Sequence, residues 1–111
     1  MTLTDRRWRQ RGLLLAALLA ASANAQQMLD VRIENYRFNP PEVSVRVGDI
    51  VRWSNHEKRT SHSVVLPIAG VPESERLFPD ENWAYRFERA GRYEYHCGPH
   101  PEMTGVVLVA E

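Results

Sequence analysis

The sequence predicts an all-β fold: one small β-sandwich domain behind an N-terminal leader. Three observations predict it. From Leu29 onward apolar residues recur at every second position in short runs, the spacing of half-buried strands. Glycine, proline and Asn/Asp residues punctuate those runs, as strand-and-turn architecture requires. No stretch after the leader carries a convincing helical period, and there is no internal repeat, low-complexity tract or linker, so seven or so strands make a single sandwich.

The 111-residue chain opens with a basic segment, Arg6, Arg7, Arg9 and Arg11, followed by a Leu/Ala run from Gly12 to Ala21. Ala23-Asn24-Ala25 supplies an A-x-A cleavage site, so residues 1–25 are expected to be a secretory signal peptide that is removed, leaving 26–111 as the domain. The apolar run falls short of the roughly 20 residues that span a bilayer, so no membrane anchor is expected after cleavage. Arg9 and Gln10 follow the Arg6-Arg7 pair where apolar residues would be wanted, which weakens a twin-arginine assignment.

Losing the leader removes four arginines and Asp5 from 14 basic and 14 acidic residues, which leaves a net charge of −3. That balance, with no basic stripe, argues against nucleic-acid binding. A domain this small has a limited core, so a bound metal could add to its stability.

Val31 and Ile33 alternate with Arg32 and Glu34, and Tyr36 and Phe38 continue the alternation until Asn39-Pro40-Pro41 breaks it. Val43, Val45 and Val47 form the next run, and Gly48-Asp49 turns the chain into Ile50–Trp53. Asn55 to Ser61 is a polar loop, and His62 to Leu66 is expected to be a short β-branched strand. Pro67 to Asn82 is a long irregular connection with a possible helical turn near Glu73–Leu77. Trp83, Tyr85 and Phe87 alternate next. Tyr93, Tyr95 and Cys97 share a face after the Ala90-Gly91 turn, and Gly105 to Ala110 closes the chain as a buried strand.

The chemistry gathers in Tyr93-Glu94-Tyr95-His96-Cys97-Gly98-Pro99-His100-Pro101-Glu102-Met103. A single cysteine cannot form an internal disulfide, which leaves a link between copies, a reactive thiol or a metal ligand. Cys97, His100 and Met103 offer a thiolate, an imidazole and a thioether within one stiff turn, and His62 is the candidate for a second imidazole. Two His, one Cys and a weak Met suit copper. Structural zinc prefers four strong donors, and a thioether is a poor fourth. His96 alternates away from Cys97, and His56 sits in a charged loop, so neither is expected to be a ligand. Taken singly, Cys97 and Met103 read as packing residues and His100 as a turn residue; their spacing together with an upstream His is more specific. A Cys-His nucleophile would need a base, an orienting group and an oxyanion site, for which the chain offers no glycine-rich helix terminus. A copy-linking cysteine is disfavoured because Cys97 should point inward with Tyr93 and Tyr95.

The Tyr93–Met103 run with Gly105 resembles the ligand loop of the cupredoxins, the small blue (type 1) copper proteins, and its two-residue spacings are those of the amicyanin-like branch. Asn35–Pro40, Val45–Asp49 and Val51–Asn55 are similar to the first strands of the plastocyanin-like family, and His62-Ser63-Val64 matches the position of its isolated histidine. The resemblance covers Leu29 to Val109. It implies copper held by His62, Cys97, His100 and Met103, a Greek-key sandwich, and a periplasmic one-electron carrier that is not an enzyme. It also implies an exposed His100 edge within an apolar patch containing Pro99, Pro101 and Pro67. Implied partners are redox proteins, an amine dehydrogenase as donor and a c-type cytochrome as acceptor, served by a monomer. The alternative is a copper delivery or sequestration protein that does not cycle redox state. Ser63 departs from the family, which often has Asn there, its amide tying the two ligand-bearing segments together; a hydroxyl can make part of that bond. Glu73, Glu75, Asp80 and Glu81 of the long connection are read as solvated.

Overall fold

The computed structural model describes residues 25–111, so the leader expected over 1–25 lies, apart from Ala25, outside the described residues. Seven strands follow in order: β1 (Met28–Glu34), β2 (Arg37–Asn39), β3 (Glu42–Arg46), β4 (Ile50–Asn55), β5 (Asn82–Arg86), β6 (Gly91–His96) and β7 (Thr104–Ala110). They form two sheets, β2-β1-β4-β5 and β3-β7-β6. The β1–β4 and β3–β7 pairs are parallel and the remaining pairs antiparallel. This is the β-sandwich the alternation predicts.

The alternation becomes the core. Val31 and Ile33 of β1 and Val51 and Trp53 of β4 are fully buried, alternating with less buried neighbours in the pleat, and Val107 of β7 is fully buried beside them. Aromatic rings join the two layers: Trp53 meets Tyr95 edge-on with centroids 5.3 Å apart, and Phe38 meets Tyr95 at 4.8 Å. Gly105, opposite Tyr95 in the β6–β7 ladder, lies under that ring, which would collide with any Cβ at this position.

Three local expectations are corrected. The run from Val31 to Phe38 is not one strand. The chain reverses at Asn35-Tyr36, so that Phe38 lies beside Ile33 and both enter the core. His62 to Leu66 does not form a strand; it makes isolated bridges, His62 with Leu77 and Val65 with His96. The segment Glu73–Leu77 is extended rather than helical, because Ser74 N–H donates to Val64 O and Leu77 N–H to His62 O, bonds made across chain segments instead of along a turn.

Candidate metal centre

Two segments meet at one end of the sandwich. The first is the turn between β6 and β7, closed by Cys97 N–H donating to Met103 O (3.0 Å) and Met103 N–H donating to His100 O (2.9 Å). The second carries His62 in the long connection between β4 and β5. The Val65–His96 bridge holds that connection against β6, one residue before Cys97. His62 and Cys97 are fully buried, Met103 is buried and His100 is partly exposed.

The donor atoms converge. His62 Nδ1 and His100 Nδ1 each lie 3.6 Å from Cys97 Sγ and 3.2 Å from one another. A point equidistant from all three is about 2 Å from each, the length of a bond from a first-row transition metal to nitrogen or thiolate sulfur. Among the described residues these three make the only cluster of His, Cys and acidic side chains able to hold an ion. Two imidazoles, a thiolate and a buried thioether four positions on from Gly98's neighbour Pro99 are the donor chemistry that suits copper.

The surroundings prepare the ligands. His62 Nε2 lies 3.1 Å from Glu57 Oε1, so the ring donates its Nε2 proton to the carboxylate and leaves the Nδ1 lone pair facing Cys97. Burial lowers the His62 pKa, and His100 adds to that, outweighing the opposing pull of Glu57; a neutral, ligating ring is favoured. Partial burial pushes the Glu57 carboxyl up, but the Tyr36 backbone amide, the His62 side chain and the Asn35 backbone amide bring it below its ordinary value.

The thiol side is equally tied. Ser63 N–H donates to Cys97 Sγ at 3.4 Å. The Ser63 hydroxyl accepts from Gly98 N–H at 3.0 Å and donates to Glu73 Oε2 at 2.6 Å. Ser63 therefore links the His62 segment to the Cys97 loop, the connection an Asn amide makes in the resembling family. Glu73 is exposed, as its reading as a solvated side chain expects, yet through Ser63 it also reaches the site.

His56 is exposed and His96 half-buried in its bridge to Val65, and neither belongs to the donor cluster. Sequence reasoning missed Glu57, Glu73 and Tyr36. All three arrive from turns or irregular connections, where no period marks which way a side chain faces. The exposed Pro67 and Pro101 line one common groove beside β6.

Residues 25–110 match the family model described as copper binding proteins, plastocyanin/azurin family. The chain is 35% identical over 94 residues to amicyanin of Paracoccus denitrificans, covering 81% of this chain and 71% of that protein. It is 32% identical over 102 residues to amicyanin-alpha of Methylorubrum extorquens, covering 85% and 86%. The crystal structure of amicyanin from Paracoccus versutus superposes with a TM-score of 0.69 at 36% identity, covering 81% of this chain and 87% of that one.

Proposed function

The chain belongs to the plastocyanin/azurin family of copper-binding proteins, and from that premise we propose that it is a periplasmic one-electron carrier whose copper ion is held by His62, Cys97, His100 and Met103. The observation that carries the reading is the triangle of His62 Nδ1, Cys97 Sγ and His100 Nδ1, with sides of 3.2 to 3.6 Å.

Bound copper supplies a centre that gains and loses one electron. The chain's own residues keep the rearrangement around that event small. Glu57 fixes the His62 tautomer, the Ser63 amide and hydroxyl hold Cys97 and its loop, and the Cys97–Met103 turn is closed by its own backbone bonds. A donor set assembled before the ion arrives spends little on reorganisation in either oxidation state. His100, the partly exposed ring of the pair, is the route by which an electron reaches the surface. Four protein donors leave no position for substrate, so no catalytic role is proposed. Fully buried Cys97 offers no link between copies, in keeping with a monomer.

Export by a cleaved 1–25 leader is part of the proposal; among the described residues no helix is long and apolar enough to cross a membrane. The similarity to amicyanins favours a dehydrogenase-type donor, an amine dehydrogenase in the first instance, and a cytochrome c acceptor.

The test is the visible spectrum of the protein loaded with Cu(II). An intense thiolate-to-copper band is expected, bleached by a one-electron reductant and restored by reoxidation without loss of the ion. Cys97→Ser should abolish the band. A parent protein that stays colourless, or that releases its copper on each reduction, would overturn the carrier reading.

A further inference from the structure

The two-residue turn between β1 and β2 holds Asn35 at φ 55° and Tyr36 at φ 58°, with Glu34 paired to Arg37. A hairpin of this kind needs left-handed backbone at both central positions, and glycine is the usual second residue because any Cβ crowds the neighbouring carbonyl. An aromatic residue there runs against local preference. Core burial does not account for it either, since Tyr36 is 49% exposed.

The Tyr36 ring meets both imidazoles. Its centroid lies 5.0 Å from that of His100 at an interplanar angle of 79°, and 5.5 Å from that of His62 at 89°. These edge-to-face arrangements lie in the favourable range for aromatic pairs. The residue is also pinned at both ends. Its N–H donates to Glu57 Oε1 at 2.8 Å, the same oxygen that receives the His62 Nε2 proton, and its hydroxyl lies 3.2 Å from Thr60 Oγ1.

Resting on the copper reading of His62 and His100, we propose that Tyr36 is a positioning residue of the metal centre. Its ring braces His100 from the solvent side, so the imidazole cannot swing away from Cys97 without displacing it. A backbone conformation that glycine would adopt more readily is kept because the side chain has this task; an observed backbone outlier is the proper starting point for such an inference.

The experiment compares Tyr36→Gly and Tyr36→Phe with the parent in three readouts: melting of the metal-free protein, loss of Cu(II) to excess EDTA, and the electron paramagnetic resonance spectrum of the Cu(II) form. Glycine suits the turn, so metal-free Tyr36→Gly should melt no lower than the parent. It should nevertheless lose copper roughly tenfold faster, the scale on which residues behind metal ligands act, with an altered resonance spectrum. Tyr36→Phe should retain copper like the parent. A Tyr36→Gly protein with the parent's copper loss and spectrum overturns the proposal. Should glycine lower the metal-free melting temperature, Tyr36→Asn, whose side chain tolerates the same backbone, is judged by the same criterion.

The copper reading is checked apart from this. A parent without the Cys97-dependent band removes that reading whatever Tyr36 does. In the metal-free parent, nuclear Overhauser contacts from the Tyr36 ring to both imidazoles are expected, and their absence overturns the bracing even in a blue protein.

Discussion

Ser63 does three things from one buried position: its amide reaches the Cys97 sulfur, its hydroxyl receives the Gly98 amide, and the hydroxyl proton goes to Glu73. Ser63→Ala keeps the first bond and deletes the other two, leaving the Gly98 amide without its partner. A lost bond of this kind costs roughly 1 to 3 kcal/mol, to be read from the urea unfolding of the metal-free protein. Copper retention should weaken as well, because the loop that presents the thiolate loses one of its ties to the His62 segment. Unchanged stability and unchanged retention would mean the hydroxyl is dispensable. Residue by residue, the donor cluster of His62, Cys97 and His100 was legible and its supports were not. Cys97, His100 and Met103 share one short turn, and the spacing of the first two anticipates the 3.6 Å approach of Cys97 Sγ and His100 Nδ1. Glu57 reaches His62 from five positions back in an irregular loop, and Glu73 reaches Ser63 from ten positions on. Charge alone marks both residues, and charge is equally what a solvated loop displays.

Elements were readable wherever one face of a strand is buried and the other wet. The buried-exposed alternation of β3 and the Tyr93, Tyr95 face of β6, continued by Cys97 just beyond its end, follow the period of two closely. The reversal at Asn35-Tyr36 escaped because the turn lacks the glycine that normally announces it; its one mark is a change of phase, from odd positions at Val31 and Ile33 to even positions at Tyr36 and Phe38. The His62–Leu66 segment has strand composition but lies against two different segments, pairing with Leu77 through His62 and with His96 through Val65, so no ladder forms. The turn from β3 to β4 illustrates how a polar residue fixes an element boundary. Asp49 accepts the amides of Gln27 and Arg46, both at 2.9 Å, tying the entry of β1 to the end of β3. The Gln27 and Arg46 amides, with help from the Arg46 charge, hold its carboxyl below the usual aspartate value against the opposing effect of burial. The unfolded chain, with an aspartate pKa near roughly 3.9, therefore binds this proton first as the solution is acidified. The stabilisation is present above about pH 4 and is lost as pH falls through the lower folded-state value. Asp49→Asn should be less stable than the parent at pH 7, and the gap should narrow between pH 5 and pH 3 in urea titrations. A gap that stays constant across that range would show that the Asp49 charge contributes nothing.

At the scale of the whole molecule, the candidate site lies where the fold is least continuous. The connection from His56 to Glu81 joins β4 to β5 within one sheet, yet passes the end of the other. Its attachments there include the paired bonds of Val65 with His96 and those of Ser63 with Cys97 and Gly98. Copper held by His62 on this connection and by Cys97, His100 and Met103 on the β6–β7 turn would fasten the two sheets at that end. A small domain has limited apolar burial, so the added link should matter. An ion that binds the folded chain and not the unfolded one stabilises it by about 2.7 kcal/mol at a free concentration one hundred times Kd. For a domain of this size that is a rise in Tm on the order of 10 °C or more. Calorimetry of the metal-free and copper-loaded forms should show this rise, increasing with free copper. His62→Ala and Cys97→Ser should each reduce the rise sharply, because each removes a donor from one of the two segments being joined. A copper-induced rise that survives both substitutions would place the stabilising ion elsewhere on the molecule. A Tm indifferent to copper in the parent would mean that the connection gains nothing from the centre it helps to build.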